Sequence, residues 1–233
     1  MAKQLPLQFV FRANQTFEDF FPGPNLAIVT HLQHCIAGIG EPFIFLWGQT
    51  GLGKSHLLHA ACHAAQQARQ STFYFDLFLA VKSSPELLQG IEEAELVCLD
   101  NVEQIVGQAD WELALFNFFN QHRDMGHKLI VSAAISPKDM PIQLPDLKTR
   151  LNWGLPLKIQ TPDDEGRIAA LIYKARHMGL NLSPQAGRFL LTHADRDMAS
   201  LWQLLDRLDQ ASLSAQRKLT VPFLKQILEQ NHG

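Results

Sequence analysis

The sequence has 233 residues, 46% of them hydrophobic and 18% charged, with a formal net charge of −3. That is enough chain and enough apolar surface for one large domain, or for a domain with a small lid. It lacks the basic footprint of a free-standing DNA-binding domain, and no apolar run approaches the about 18 residues of a membrane span. Protein partners are therefore expected rather than a direct, sequence-specific grip on DNA, with no membrane insertion and a cytoplasmic location. Cys35, Cys62 and Cys98 form no close pair and lie in apolar settings, which suits reduced core thiols.

In chain order, residues 1–14 read as an extended tail, and Thr16 to Asn25 as a packed loop of aromatics, Pro and Gly. Ala27 to Ile39 has apolar residues at helical spacing, and Pro42 to Trp47 is a short apolar run that suits a buried strand. A glycine-rich loop follows, then an Ala- and Leu-rich helix over Ser55 to Arg69. Ser71 to Asp76, Leu96 to Asp100 and Lys128 to Ala133 predict three more strands, with helices over Pro85 to Glu95 and Ala109 to Arg123. Alternation of this kind predicts a parallel α/β sheet with right-handed crossovers. After Gly154 the pattern turns helical, with segments near 163–178, 184–194, 197–215 and 221–230 and no further strand of comparable strength. Thr161-Pro162 and Ser183-Pro184 supply N-cap and first-turn signals. The division expected is a tail over 1–14, an α/β domain over 15–157 and a helical lid over 158–233.

Chemistry concentrates in the loop Gly48-Gln49-Thr50-Gly51-Leu52-Gly53-Lys54-Ser55, which fits G-x-x-x-x-G-K-[ST]. The glycines let backbone N–H groups turn in around phosphate oxygens. Lys54 brings a positive charge to the β and γ phosphates, Ser55 a hydroxyl to Mg²⁺, and the helix that follows aims its positive end at the same anion. Asp100, closing an apolar strand, is the expected second Mg²⁺ residue, acting through water. The next residue is Asn101, which cannot take a proton; Glu103 lies two residues further on. Slow or absent hydrolysis by the chain alone is expected. His56, His59 and His63, at i, i+3 and i+7, read as packing rather than as a metal face, and Trp111, Phe116, Phe118 and Phe119 read as core rather than as a base-stacking platform.

Gly51-Leu-Gly-Lys-Ser-His-Leu-Leu-His-Ala60 resembles the phosphate loop and helix of the bacterial replication initiator DnaA, an AAA+ protein. Thr16-Phe-Glu-Asp-Phe20 resembles the opening of its AAA+ core, and Asp146-Leu-Lys-Thr-Arg150-Leu-Asn-Trp-Gly154 the segment that carries its arginine finger. The resemblance covers roughly residues 15–230. A DnaA-like core that stops short of a helix-turn-helix domain, preceded by a glutamine-leucine tail, is similar to the Hda family of DnaA-related regulators.

The resemblance implies an AAA+ parallel sheet with a helical lid, a bound ADP or other nucleoside diphosphate, and Mg²⁺. Arg150 is implied as an arginine finger acting in trans; its plain alternative is an ion pair with Asp146. Phe21, Pro22 and Asn25 are implied near the base. Gln4, Leu5, Leu7 and Phe9 resemble a motif that binds the β sliding clamp of DNA polymerase III, with Pro6 favouring an extended backbone. The implied partners are ATP-bound DnaA and the DNA-loaded clamp, and the implied role is to stimulate hydrolysis of DnaA's ATP and so prevent re-initiation. A homodimer is left open. Ser132 and Ala134 stand where the family has an Asp near the γ-phosphate, and Ala199 where its lid has an Arg, with Arg196 close by. A preference for diphosphate follows. The rival readings are a self-acting AAA+ ATPase of helicase-loader type and a small nucleotide kinase.

Overall fold

The computed structural model describes residues 15–215 and 219–229. The tail carrying Gln4, Leu5, Leu7 and Phe9 lies outside the described residues. Two compact units form: one from Ile28–Gly48 and Lys54–Lys158, the other from Glu18–Ala27, Gln49–Gly53 and the residues from Ile159 onward.

The first unit is built on five strands, β1 (Phe43–Trp47), β2 (Thr72–Asp76), β3 (Leu96–Asp100), β4 (Lys128–Ala133) and β5 (Leu155–Lys158). All neighbours pair in parallel, in the order β2-β3-β4-β1-β5. Every residue of β3 is buried, as a central strand covered on both faces requires. The parallel sheet expected from the sequence is therefore present, with one more strand than expected. β5 runs beside β1 at the sheet edge and pairs Pro156 with Phe45. Pro156 cannot donate to a ladder, which confines it to an edge and hides the strand from pattern reading.

The helices of this unit are α1 (Leu26–Ala37), α2 (Lys54–Gln67), the single turn α3 (Leu77–Ala80), α4 (Ala109–Asp124) and α5 (Pro145–Leu151). The helix expected over Pro85 to Glu95 is instead two short 3₁₀ turns, Pro85–Leu88 and Ile91–Glu93. Gly90 between them has φ +87° and ends the first before it can propagate. Phe45, Val97, Leu99, Leu129 and Val131 share one core with Trp111, Leu115, Phe118 and Phe119 of α4 and with Leu147 and Leu151 of α5. The aromatic residues of α4 thus pack as expected. Cys35, Cys62 and Cys98 are buried and free, and burial pushes the Cys35 thiol up to about 11.

Glu112, on α4, is only 1% exposed. Its carboxylate accepts from Gly107 N–H at 2.9 Å, from Gln143 N–H at 3.2 and 3.0 Å, and from Leu144 N–H at 2.7 Å. Backbone donors replace the water that the charge gave up, and they pin the entry of α5.

The second unit carries α6 (Asp164–His177), α7 (Pro184–His193), α8 (Met198–Ala215) and α9 (Val221–Glu229). Ser183 caps α7 by accepting from Ala186 N–H, with Pro184 in the first turn, as the sequence signal predicts. At α6 the cap is Asp163, accepting from Gly166 N–H, rather than Thr161. No helix of the described residues is long and apolar enough to cross a membrane.

Glu112→Gln keeps the size of the side chain but puts an amide NH₂ among donors. It should lower the unfolding free energy by about 1–3 kcal/mol, read from urea denaturation. An unchanged midpoint would mean that these bonds do not hold α5.

Candidate phosphate-binding site

In the first unit, the loop begins where Gly48 N–H donates to Ala133 O at 3.2 Å, tying it to the end of β4. Lys54 opens α2 and is 8% exposed; its Nζ donates to Gly48 O at 2.7 Å. Burial lowers the ammonium pKa, and the negative charges of Glu103 and then Asp100 oppose that shift. Ser55 is exposed.

Asp100 ends β3 and is 1% exposed. It accepts from Tyr74 O–H at 2.8 Å, from Asn101 N–H at 3.1 Å, and from the Ser132 hydroxyl. Burial, then the Asp100 charge, holds Tyr74 well above the usual phenol range, so it stays a donor. A carboxylate offers about four acceptor positions. Three are in use, which leaves Asp100 suited to an outer-sphere, water-mediated contact with Mg²⁺ rather than to direct ligation. Among the described residues no group of His, Cys, Asp or Glu could hold a metal by itself. On α2, His56 Nε2 lies 2.8 Å from Thr16 O, and His59 stacks on Tyr74 with ring centroids 3.9 Å apart.

Asn101 takes the left-handed conformation, φ 58° and ψ 46°, which Asn tolerates. Its side-chain N–H donates to Asp76 Oδ1 at 2.8 Å. The position after Asp100 is therefore occupied by an amide engaged elsewhere. The sequence reading left the geometry of Glu103 open. Its carboxylate is the largest favourable charge acting on Lys54. Burial raises its own pKa, against the pull of the N–H groups of Glu103 and Ala134 and of the Lys54 charge.

In the second unit, Gln49–Gly53 packs with lid residues. Gly51 has φ +81°, and a Cβ there would lie 2.7 Å from Ala199 N and 2.8 Å from Ala199 Cβ. Trp202 Nε1–H donates to Gly51 O at 3.3 Å. Gly53, at φ +89°, would place a Cβ 2.8 Å from the Phe20 ring. The glycines thus serve close packing as well as backbone turning, a demand that the motif does not reveal. Arg196 pairs with Asp164 at 3.3 Å, both side chains more than half exposed.

Asn25 is 6% exposed. Its amide donates to Gln160 O at 3.1 Å and accepts from Gln160 N–H at 2.7 Å, while its own backbone N–H donates to Pro22 O at 2.6 Å. Its amide is thus engaged as a clip between two stretches of the second unit. Phe21 lies 5.6 Å from the Tyr173 ring, and the Tyr173 hydroxyl donates to Glu18 O.

Arg150 lies on α5, in the first unit. Its Nε–H donates to Asn120 Oδ1 at 3.0 Å, and its guanidinium lies 4.0 Å from the centroid of the Trp153 ring and 6.0 Å from that of Phe116. An ion pair with Asp146 is not among those formed by the described residues.

Residues 11–158 match the family model of the bacterial DnaA ATPase domain. The chain belongs to this family. Residues 164–228 match the model of the Hda lid domain, so the lid is of the Hda type expected from the sequence. Domain III of the Thermotoga maritima replication initiation protein DnaA is similar in structure, with a TM-score of 0.79 at 20% identity over 94% of this chain and 98% of that one. The AMPPCP-bound DnaA of Aquifex aeolicus gives a TM-score of 0.70 at 21% identity, covering 85% of this chain and 66% of that one. The Holliday junction branch migration motor RuvB of Thermotoga maritima gives 0.69 at 13% identity, over 92% and 71%. At these identities the likeness concerns the fold, which is AAA+ of the DnaA type.

Gly51→Ala should lower stability more than Gly38→Ala in thermal or urea denaturation. Both residues have positive φ, but a Cβ at Gly38 meets nothing within 4 Å. The control incurs the left-handed strain alone, about 1–2 kcal/mol; Gly51→Ala adds the overlap with Ala199. Equal losses would show that the loop has room to yield.

Proposed function

We propose that this chain is a nucleotide-bound regulator that completes the ATPase site of DnaA rather than running its own. It holds ADP or another nucleoside diphosphate on Gly48–Ser55, with Mg²⁺ reached through Ser55 and, by way of water, Asp100. The tail residues Gln4, Leu5, Leu7 and Phe9 dock on the β clamp loaded on DNA. Arg150 then reaches the ATP bound to DnaA and stimulates its hydrolysis, which limits re-initiation. Sequence-specific DNA binding forms no part of this reading.

The observation that carries it is the contrast between two positions. Asn101 stands next to Asp100 with its amide bonded to Asp76, so no carboxylate at that place is set to activate water. Arg150 has its Nε tied to Asn120, while its two terminal amino groups make no hydrogen bond among the described residues. Such a group can stabilise charge developing on a phosphoryl group across an interface, an effect of ~10³–10⁵ in rate in GTPase systems. Family membership supports the same reading, since the DnaA ATPase domain is the fold on which Arg150 was recognised.

The diphosphate preference has a second support. Glu103 draws on the Lys54 charge that a γ-phosphate would use. A triphosphate must compete with it, and Ala199 offers no charge in the lid to compensate. Calorimetric titration should show ADP binding at least as tightly as ATP. Glu103→Gln should tighten ATP more than ADP, by about fivefold for an interaction of ~1 kcal/mol. Much tighter ATP binding by the unaltered protein would overturn this part.

The decisive assay follows ATP hydrolysis by DnaA with loaded clamp and this protein. Arg150→Ala should abolish most of the stimulation, and Gln4→Ala should abolish the part that requires the clamp. Full stimulation by both variants, or steady ATP turnover by this protein alone, would favour the self-acting ATPase instead.

A further inference from the structure

A phosphate loop needs a backbone shape that its glycines permit but do not enforce. Glycine gives up more conformational freedom on ordering than any other residue, so the peptide at Gly51 has to be held by its surroundings. In the second unit the lid helix α8 makes two contacts with it. Trp202 Nε1–H donates to Gly51 O at 3.3 Å. Ala199 stands three residues earlier on α8, hence on the same face. It packs so closely that a Cβ on Gly51 would lie 2.7 Å from Ala199 N and 2.8 Å from Ala199 Cβ. The loop residues Gln49–Gly53 and α8 belong to one compact unit.

The bond to Gly51 O has a consequence on the other side of the peptide. The Gly51–Leu52 bond is trans, and in a planar trans peptide the C=O and the following N–H point in opposite directions. Fixing Gly51 O toward Trp202 therefore fixes Leu52 N–H away from it. Among the described residues that N–H donates to no protein acceptor, although Leu52 is only 9% exposed. In a glycine-rich loop of this spacing, such N–H groups cradle the α- and β-phosphates of a nucleotide. A donor on the carbonyl also polarises the peptide and strengthens its N–H as a donor, because linked hydrogen bonds reinforce one another.

We infer that Trp202 is a positioning residue for the phosphate loop: its indole N–H holds the Gly51–Leu52 peptide so that Leu52 N–H turns away from the lid helix, toward phosphates that di- and triphosphates share. This rests on the nucleotide binding proposed for Gly48–Ser55 and names how the lid takes part in it. At Ala199 the lid brings no charge to a terminal phosphate. At Trp202 it brings a neutral donor to the loop backbone, so its contribution to binding is the same for ADP and ATP. Trp202 acts through the peptide and not on the nucleotide.

The test has two arms. In the first, the isolated protein is followed by NMR without nucleotide. Trp202 is one of four tryptophans, and its indole N–H is assigned by through-bond correlations. That signal should exchange slowly with water in the unaltered protein, and more slowly still once ADP is added. In Trp202→Phe, which keeps a ring and removes the donor, the Gly51 carbonyl carbon should move upfield and the Leu52 amide proton should move with it. In the second arm, calorimetric titration in Mg²⁺ should show Trp202→Phe binding both ADP and ATP about fivefold more weakly, the loss expected for one hydrogen bond, with the ratio of the two affinities within about twofold of the unaltered protein. Fast exchange of the indole N–H in the unaltered protein, with and without ADP, would overturn the positioning role even if Trp202→Phe does not fold. So would an unmoved Gly51 carbonyl carbon, an unchanged affinity for ADP, or a loss confined to ATP, which would make Trp202 a reader of the terminal phosphate. If the NMR signals of the nucleotide-free protein respond as stated but the unaltered protein binds neither nucleotide, the nucleotide-binding reading fails, and the phosphate role with it, while the hold of Trp202 on the loop stands.

Discussion

A charge withdrawn from water must be met by donors, acceptors or an opposite charge, and much of this structure follows from how its buried charges are met. Asp100 is met by Tyr74, Ser132 and Asn101, and Glu112 by the N–H groups of Gly107, Gln143 and Leu144. Lys54 is met by Gly48 O and by the charges of Glu103 and Asp100. In each case the partners lie on different elements, so that satisfying the charge also fixes the chain. Asp100 joins β3 to β2 and β4, and Glu112 joins α4 to the entry of α5. The electrostatics of the first unit are, in this sense, its carpentry.

That economy separates two kinds of charge. Lys54 and Asp100, beside the phosphate-binding loop, are met from within the chain, and a ligand of Lys54 must exchange with an internal partner. An incoming phosphate would compete with Gly48 O and Glu103 for Lys54. Among the described residues, Glu103 keeps one buried carboxylate oxygen without a hydrogen-bond partner beside Lys54, so it is the one acidic group here not fully met by donors. Arg150 belongs to the other kind. It stays half-buried at the surface, with one face and one N–H engaged and its terminal edge open. Under the proposed function, a group held in this way acts outside the fold that holds it.

The sequence disclosed those parts whose cause is local. β1 to β4 are apolar runs bounded by breakers, and their limits were readable to within a residue or two. The phosphate loop was legible because its glycines and Lys54 must stand at fixed spacing. The cap of α7 was legible because Ser183 and Pro184 act within one turn. What was not legible depends on distant partners. β5 contains Pro156 and is only partly buried, so it exists because β1 offers an edge and not because its residues favour a strand. The turns around Gly90 carry helical composition, and one positive φ decides against a helix. The bond of the Asn25 amide to Gln160, 135 positions away, is a structural role that its local sequence does not disclose. Asp146 lies four residues before Arg150, the spacing of a helical ion pair, but Asn120, 30 positions away, accepts from it instead.

The preference for Asn120 over Asp146 has a physical consequence. A carboxylate on Arg150 would take two guanidinium donors in a bidentate pair and neutralise the charge. Breaking such a pair to engage a phosphate would cost back much of what the phosphate contact gains. An amide oxygen takes one donor and leaves the charge whole, and an indole face steadies the group through its quadrupole without using any N–H. The surroundings therefore restrain the orientation of Arg150 while leaving its field and its terminal donors intact. Its placement on a neutral acceptor and an exposed ring is compatible with the proposed role, in which the opposite charge arrives from another molecule.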